Sequence, residues 1–271
     1  MLKSRFSRSV SVARGLQGTT AILSLIALSA CGGSGTSSTT GSGATMSNAL
    51  PGGIWTGGDS VSGLGITGIV DEAGDFHFIR SDGTQYVGTA ATSGNAISAN
   101  FAGFTEFADA FADGSTHGTG TLMGTIAQRS SINATTQFLT DDGTSTSGTI
   151  TLTFNSLYNA GSSLAAISGN YTEPTSGDVI SVTTGGALSW QDAASGCVGN
   201  GMISIINANY NAYQVQFKYG GCTGQAAVLN GVQFSGLATL DNTESPEQAL
   251  IGVSGQGGGF DYSLVLVLNH N

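Results

Sequence analysis

Thr149-Ile150-Thr151-Leu152-Thr153-Phe154 alternates a polar and an apolar residue over six positions. Successive side chains of a β-strand point to opposite faces, so this stretch predicts a strand with one buried and one wet face. The same alternation recurs in Tyr213-Gln214-Val215-Gln216-Phe217-Lys218-Tyr219. Because antiparallel sheets commonly bury one face and wet the other, these two segments predict an antiparallel, all-β fold.

Turn signals separate the other strand candidates. The chain has 43 glycines and three prolines, and Asp-Gly pairs occur at Asp82-Gly83, Asp113-Gly114 and Asp142-Gly143. Asp-Gly favours tight hairpins because both residues tolerate positive φ. We therefore expect short strands joined by tight turns. The spacing of the phenylalanines between Phe101 and Phe111 predicts one short helix.

The body of the chain contains two similar halves. Gly53-Ile54-Trp55-Thr56 is echoed by Gly169-Asn170-Tyr171-Thr172, and Ser195-Gly196-Cys197 falls near the place that Ser81-Asp82-Gly83 holds in the first half. We expect two tandem antiparallel barrel-like units of roughly eight strands or fewer, residues 53–160 and 161–271, because closure hides strand edges. Side chains can fill such an interior, or it can hold one small ligand; the sequence leaves both open.

Residues 1–30 have the layout of a secretory signal peptide. Basic residues between Lys3 and Arg14 precede an apolar segment from Thr19 to Ala30. As a helix this segment would span about 18 Å, which is well short of the roughly 30 Å hydrocarbon core of a bilayer. A permanent transmembrane helix is therefore not expected.

Leu28-Ser29-Ala30-Cys31 ends this leader and resembles the lipobox of bacterial lipoproteins. The resemblance implies that Cys31 becomes the first mature residue and is acylated, with palmitate as a typical chain, so that lipid anchors the protein to the membrane. Gly32, where retained lipoproteins carry aspartate, implies delivery to the outer membrane; the periplasmic and surface-facing sides both stay open. Residues 31–52 are rich in Gly, Ser and Thr and predict a flexible tether.

The mature chain is expected to be strongly acidic. Beyond the leader its only basic residues are Arg80, Arg129 and Lys218, against 17 Asp and Glu. Proteins that bind nucleic acid carry a basic patch that neutralises phosphates. This composition therefore excludes nucleic acid as an expected partner.

Cys197 and Cys222 form an even pair once Cys31 is acylated. An even number of cysteines in an oxidising compartment predicts a disulfide. Pairing Ile203 with Val215 would bring the two cysteines together at the ends of neighbouring strands if Gly220-Gly221 forms a bulge. The spacing is not Cys-x-x-Cys, so we do not expect a catalytic redox pair.

The sequence contains no recognisable catalytic, metal or cofactor motif. His77, His117 and His270 are scattered, and we interpret them as a surface-strand, a turn and a tail histidine. Asp141-Asp142-Gly143 lacks the alternating oxygen ligands of a calcium loop. The other acidic residues fall in or beside predicted turns, where aspartate is common for backbone reasons. We expect neither an enzyme nor a bound cofactor.

Two classes of function are left, a binding module and a structural or assembly accessory of the cell envelope. Anchor, tether and repeated barrel together resemble surface lipoproteins with tandem β-barrels, such as transferrin-binding and complement-factor-binding proteins. That resemblance implies a non-catalytic module that binds a protein or glycan partner. No ligand-contacting motif of those families matches a position here, so the ligand-binding residues are not assigned from the sequence.

Overall fold

The computed structural model describes residues 13–14, 47–105, 110–257 and 260–271, in which nearly all regular structure is antiparallel β-strand. The predicted all-β class is confirmed. Residues 31–46 of the predicted tether, with Cys31, and the leader apart from residues 13–14 lie outside these ranges; Ala13–Arg14 is paired with residues 260–261. Residues 47–52 are described and pack against the first barrel, so the predicted flexible tether does not extend to residue 52. Within the ranges described, no helix has both the length and the apolar character needed to cross a membrane.

Eight strands in chain order form the first barrel, each antiparallel to the next. The barrel closes where the first strand pairs with the last, from Ile54 opposite Asn155 to Asp59 opposite Ile150. Ile150 and Leu152 are buried while the three threonines that alternate with them (Thr149, Thr151 and Thr153) are exposed, as the alternation predicts. The strands are β1 (Gly53–Asp59), β2 (Gly65–Val70), β3 (Asp75–Arg80), β4 (Gln85–Ser93), β5 (Ala96–Phe104), β6 (His117–Ala127), β7 (Ser131–Thr140) and β8 (Ser145–Asn155).

Eight further strands form the second barrel with the same up-and-down order. Closure is shorter here, because only Tyr171 opposite His270 and Thr172 opposite Asn269 join the first and last strands. Ile203 lies opposite Val215, which is the predicted register. The strands are β9 (Gly169–Thr172), β10 (Val179–Val182), β11 (Ala187–Gln191), β12 (Val198–Ile205), β13 (Tyr213–Gly220), β14 (Gln233–Asp241), β15 (Gln248–Gly257) and β16 (Phe260–His270).

The two halves of the repeat occupy equivalent places in the two barrels. Gly53 and Gly169 begin the first strand of each, and Trp55 and Tyr171 are almost completely buried. Residues 81–83 and 195–197 both connect the third strand to the fourth. The expectation of two tandem antiparallel barrels is therefore confirmed, with eight strands in each.

Short helical segments connect the barrels and cap one hairpin. A 3₁₀ turn (Ser156–Ala160) and helix α1 (Leu164–Ile167) link β8 to β9, and a second 3₁₀ turn (Gly224–Leu229) lies between β13 and β14. The helix predicted from Phe101 is wrong over Phe101–Phe104, which belong to β5 because alternate residues there face the barrel core. Residues 106–109 lie outside the described residues.

The barrels pack side by side through a small apolar cluster. Ile54 and Ile69 on the outer face of the first barrel meet Leu237 of the second, with Tyr158 of the connection between them. Asn211, between β12 and β13, is fixed to β14 by its side chain. Its Nδ2 donates to the Leu240 carbonyl at 2.6 Å, and its Oδ1 accepts from the Leu240 N–H. Its backbone N–H also donates to the Tyr158 carbonyl.

Candidate functional site

The first barrel contains a cavity of about 220 Å³ at one end, which we call the mouth cavity. This end carries the β1–β2, β3–β4, β5–β6 and β7–β8 connections. An eight-stranded barrel is just wide enough to be filled by side chains or to hold one small ligand. The residues that matter most for its chemistry are Asp59, Arg80, Tyr86, Phe101, Asp113 and Phe138.

The opposite end of the first barrel is sealed by the chain just before β1. The backbone N–H of Ala49 donates to the Gly94 carbonyl at 2.9 Å, and Asn48 accepts from the Gly94 N–H at 2.8 Å. Ala49 is buried in the barrel core, and the indole N–H of Trp55 donates to the Pro51 carbonyl. Among the residues described, the barrel is thus a cup that is closed at its base and open at its mouth.

Aromatic rings form one wall of the mouth cavity. Phe101 and Phe138 are stacked, with ring centroids 6.1 Å apart and an interplanar angle of 8°. Tyr86 meets both rings edge-on, and the Phe111 ring lies 5.1 Å from that of Phe138. Rings in a concave site are the surfaces against which apolar small molecules pack.

Two inward-facing glycines leave room along the barrel axis. A Cβ atom at Gly120 would lie 2.3 Å from the Phe101 ring, and one at Gly103 would lie 2.6 Å from the Phe138 ring. Because neither position carries a side chain, each ring packs directly against the barrel wall. The two rings therefore occupy the volume that side chains at these positions would fill.

Arg80 places a positive charge on the inner face of the barrel. Its Nε donates to Asp82 Oδ1 at 2.8 Å, its Nη2 donates to Asp82 Oδ2 and to Thr84, and its Nη1 donates to Tyr86 Oη at 3.4 Å. Burial opposes both charges, but the hydrogen bond between them leaves the pKa of Arg80 raised and that of Asp82 lowered. The ion pair is therefore charged at neutral pH.

The two other carboxylates at the mouth are turned towards their own loops. Asp59 accepts from backbone N–H groups of the β1–β2 connection and from the Ser62 hydroxyl. Asp113 accepts from the Thr140 hydroxyl and from the Ser115 hydroxyl at 2.7 Å. These hydroxyls hold the pKa of Asp113 well below its usual range. Both carboxylates stabilise loops at the mouth.

Neither a family model, nor a curated protein, nor a solved structure matches this chain. The geometry of the site and the sequence features are therefore the grounds on which its function is argued.

The second barrel has a filled interior. The Phe217 and Phe234 rings are stacked with centroids 5.1 Å apart, and Trp190 meets Phe217 edge-on at 4.4 Å. Tyr219 and Tyr262 add further ring contacts to Phe234. This barrel provides a packed core beside the cup.

A larger open cleft of about 600 Å³ lies between the two barrels. Its floor is formed by aliphatic side chains such as Ile54, Leu157 and Val267, and the described lining has no aromatic ring. The buried Glu173 beside it accepts from the Thr175 and Ser176 N–H groups, so its carboxylate stabilises a turn. The mouth cavity, unlike this cleft, combines aromatic rings with hydrogen-bonding side chains.

Cys197 and Cys222 lie as a disulfide, with Sγ atoms 2.03 Å apart. Cys197 immediately precedes β12, and Cys222 follows β13 by two residues. Gly221 between β13 and Cys222 has a φ of +69°, a left-handed conformation that glycine adopts without strain. The bridge therefore joins neighbouring strands at one end of the second barrel, whereas the mouth cavity lies in the first barrel.

His77 lies on the face of β3 opposite Phe76 and Phe78, yet it is only 5% exposed. The interpretation as a surface histidine is wrong, because this outer face packs against the second barrel. His77 Nδ1 lies 2.9 Å from Gln85 Oε1, and Gln85 Nε2 donates to the Val253 carbonyl of the second barrel at 3.1 Å. Since the amide nitrogen faces Val253, the oxygen faces His77, whose Nδ1 carries the proton.

The other two histidines also lie on strands. His117 is the first residue of β6, where Nδ1 is 3.0 Å from Asp141 Oδ1. His270 ends β16, and its ring lies 4.9 Å from that of Tyr171. In the part of the chain that the structure describes, no three His, Cys, Asp or Glu side chains are grouped to hold a metal ion.

The residues of the mouth cavity were not identified as a site from the sequence. One signal was present: Arg80 shares the parity of Phe76 and Phe78, which places a charge on the inner face of β3. A charge in phase with core residues marks a polar group inside a barrel. The turn at Asp82-Gly83 joins β3 to β4 and sets Phe78 opposite Tyr86, but the sequence alone does not show that Arg80 and Tyr86 line a cavity.

Proposed function

We propose that the mature chain is a lipid-anchored outer-membrane lipoprotein that acts as a non-catalytic binding module, with the mouth cavity as its ligand site. The observation that carries this proposal is a cavity of about 220 Å³ in a barrel sealed at its other end. A cavity of about 150 Å³ lined by apolar side chains binds benzene, so this volume fits one ring and a few further heavy atoms.

The groups at the mouth favour binding over catalysis. Arg80 is paired with Asp82, and the carboxylates of Asp59 and Asp113 accept hydrogen bonds from their own loops. A general acid or base needs a side chain that is free to exchange a proton with the substrate, whereas these groups are held by the hydrogen bonds that they already make. They are suited to orienting a ligand against the aromatic wall.

The anchor rests on the lipobox-like Leu28-Ser29-Ala30-Cys31 and on the tether behind it. Each buried lipid CH₂ contributes about 0.8 kcal/mol, so several acyl chains on Cys31 would hold the chain to a membrane. Asn48 and Ala49 already pack on the barrel base, so a flexible tether of about 17 residues after Cys31 would have a root-mean-square reach of about 23 Å. The cup would then stand clear of the bilayer surface.

Replacing Cys31 with Ser tests the anchor. The variant is expected to leave the membrane fraction or to keep its leader, and to lose labelling by an alkyne analogue of palmitate. Gly32→Asp is the matched control, because it keeps the acylated cysteine and is expected to move the protein from the outer to the inner membrane. Normal processing and membrane retention of Cys31→Ser would contradict the anchor.

Filling the mouth cavity tests the binding site. Thr136 faces the cavity from β7, whereas its neighbour Thr135 is exposed on the outer face. With 4-fluorotoluene as the probe, followed by fluorine NMR, Thr136→Phe is expected to weaken binding by at least about tenfold. Thr135→Phe adds the same ring outside the barrel and is expected to leave binding unchanged.

The opposite outcomes are equally specific. If the unmodified protein does not bind 4-fluorotoluene, or if both threonine variants bind it equally well, the mouth cavity is not a ligand site. Recovery of one fixed envelope protein by crosslinking in cells, without binding of the probe, would favour a structural accessory instead.

A further inference from the structure

The polar side chains of the mouth cavity present hydrogen-bond donors to its interior. Arg80 has five N–H groups, and four of them donate within the described residues, so one N–H on Nη1 is left. Tyr86 Oη accepts from that Nη1 at 3.4 Å, so the phenol keeps its own proton to donate. Two donors on adjacent atoms can converge on one acceptor oxygen of a ligand.

The phenol of Tyr86 is protonated at neutral pH. Burial raises the pKa of its phenol, and the charges of Asp59 and Asp82 add to this effect against the opposing charge of Arg80. Its ring also packs against Phe101 and Phe138, so the hydroxyl stands at the edge of the aromatic wall. A ligand ring on that wall would place a substituent beside the two donors.

The charges around the mouth disfavour an anionic ligand. Arg80 is the one cation among the described lining, and its charge is offset by Asp82. Asp59 and Asp113 add two further negative charges at the rim. An anionic ligand would be repelled by these carboxylates.

A cationic ligand is disfavoured for a different reason. The carboxylates of Asp59 and Asp113 would attract it to the rim, but their oxygens already accept hydrogen bonds there. Inside the cavity it would meet the N–H of Arg80 and the O–H of Tyr86 with the wrong polarity. A carbonyl oxygen of an uncharged molecule satisfies both donors without adding a charge. The volume of about 220 Å³ limits such a molecule to roughly one ring with a short substituent.

We infer that the mouth cavity recognises an uncharged, ring-sized apolar molecule through one carbonyl oxygen, which accepts from Tyr86 Oη and Arg80 Nη1. This inference rests on the proposed function, because it requires the mouth cavity to be a ligand site. It adds to that proposal the chemical class of the ligand and the two side chains that donate hydrogen bonds to it.

Four matched one-ring probes test this specificity by competition with 4-fluorotoluene, using the full lipidated chain in nanodiscs and empty nanodiscs as the blank. Acetophenone carries a carbonyl, ethylbenzene has no acceptor, benzoate is an anion and benzylammonium is a cation. Acetophenone is expected to bind most tightly, by about ten- to 100-fold over ethylbenzene, because each of its two net hydrogen bonds contributes about three- to tenfold.

Tyr86→Phe is the decisive variant, because it removes the hydroxyl and keeps the packed ring. It is expected to reduce the preference for acetophenone by about three- to tenfold, which is one net hydrogen bond, because Arg80 Nη1 can still donate, while ethylbenzene binds within about twofold of the unmodified protein. Tyr262→Phe makes the same change in the filled second barrel and is expected to alter neither affinity.

The outcomes separate the two proposals. If 4-fluorotoluene binds but benzoate or benzylammonium is preferred, or if Tyr86→Phe leaves the acetophenone preference intact, the carbonyl inference fails and the ligand site stands. If no probe binds the unmodified protein, the proposed function itself fails.

Discussion

Lowering the pH from 7 to 4 is expected to reduce the free energy of unfolding by about 3 kcal/mol more in the native protein than in a His77→Asn variant. His77 is buried between the barrels, and desolvation lowers its pKa to about 4 from an ordinary 6.5. The unfolded chain therefore takes up a proton on this side chain before the folded protein does. Stability is full above pH 6.5 and falls as the pH drops towards 4.

Asparagine is the matched replacement because its amide N–H can take the place of the Nδ1–H that faces Gln85. The variant keeps the link from residue 77 through Gln85 to the Val253 carbonyl but cannot titrate. Urea unfolding at pH 7, 5.5 and 4 would measure the difference, and carboxylates that titrate in both proteins cancel from it. Parallel loss of stability in the two proteins would show that His77 does not sense acid at this interface.

Replacing both Cys197 and Cys222 with Ala is expected to lower the free energy of unfolding by about 3.5 kcal/mol. The bridge closes a loop with a sequence separation of 25, and a cross-link of that length removes this much chain entropy from the unfolded state. Both cysteines are buried in the core of the second barrel, so Ala avoids placing a hydroxyl there. Chemical unfolding with and without a reducing agent is the measurement.

The control for this prediction is the native protein under reducing conditions. Its stability is expected to fall to that of the double variant, whereas the variant itself should be insensitive to the reductant. Binding of 4-fluorotoluene should persist in both, because the mouth cavity belongs to the other barrel. Two free thiols in the unreduced mature protein, or equal stability with and without the bridge, would contradict the prediction.

Glycine has two roles in this fold, and the sequence predicts only one of them. The abundance of glycine predicts tight turns, and Gly74 is a turn glycine between β2 and β3 with a φ of +96°. Gly103 and Gly120 instead lie within strands, where they admit the Phe138 and Phe101 rings to the barrel wall. The two roles look alike in sequence because the ring that needs the space comes from another strand.

His77 and Arg80 are polar residues whose surroundings could not be told from the sequence of their strand. Alternation places His77 on the outer face of β3 and Arg80 in phase with its core. It does not show that the second barrel covers His77, or that Arg80 lines a cavity with rings from β5 and β7. A two-residue period assigns a side chain to a face but does not identify what that face meets.

The sequence by itself determined the all-β class, the two tandem units, the register of β12 with β13 and the pairing of the two later cysteines. These features follow from strand alternation, turn chemistry and cysteine number, which act between residues close in the chain or on adjacent strands. Only the tertiary structure decided that one barrel is an open cup and the other is filled, and that a histidine is buried between them. Those outcomes depend on side-chain volumes summed across a barrel axis and on the packing of two outer faces, which no local pattern specifies.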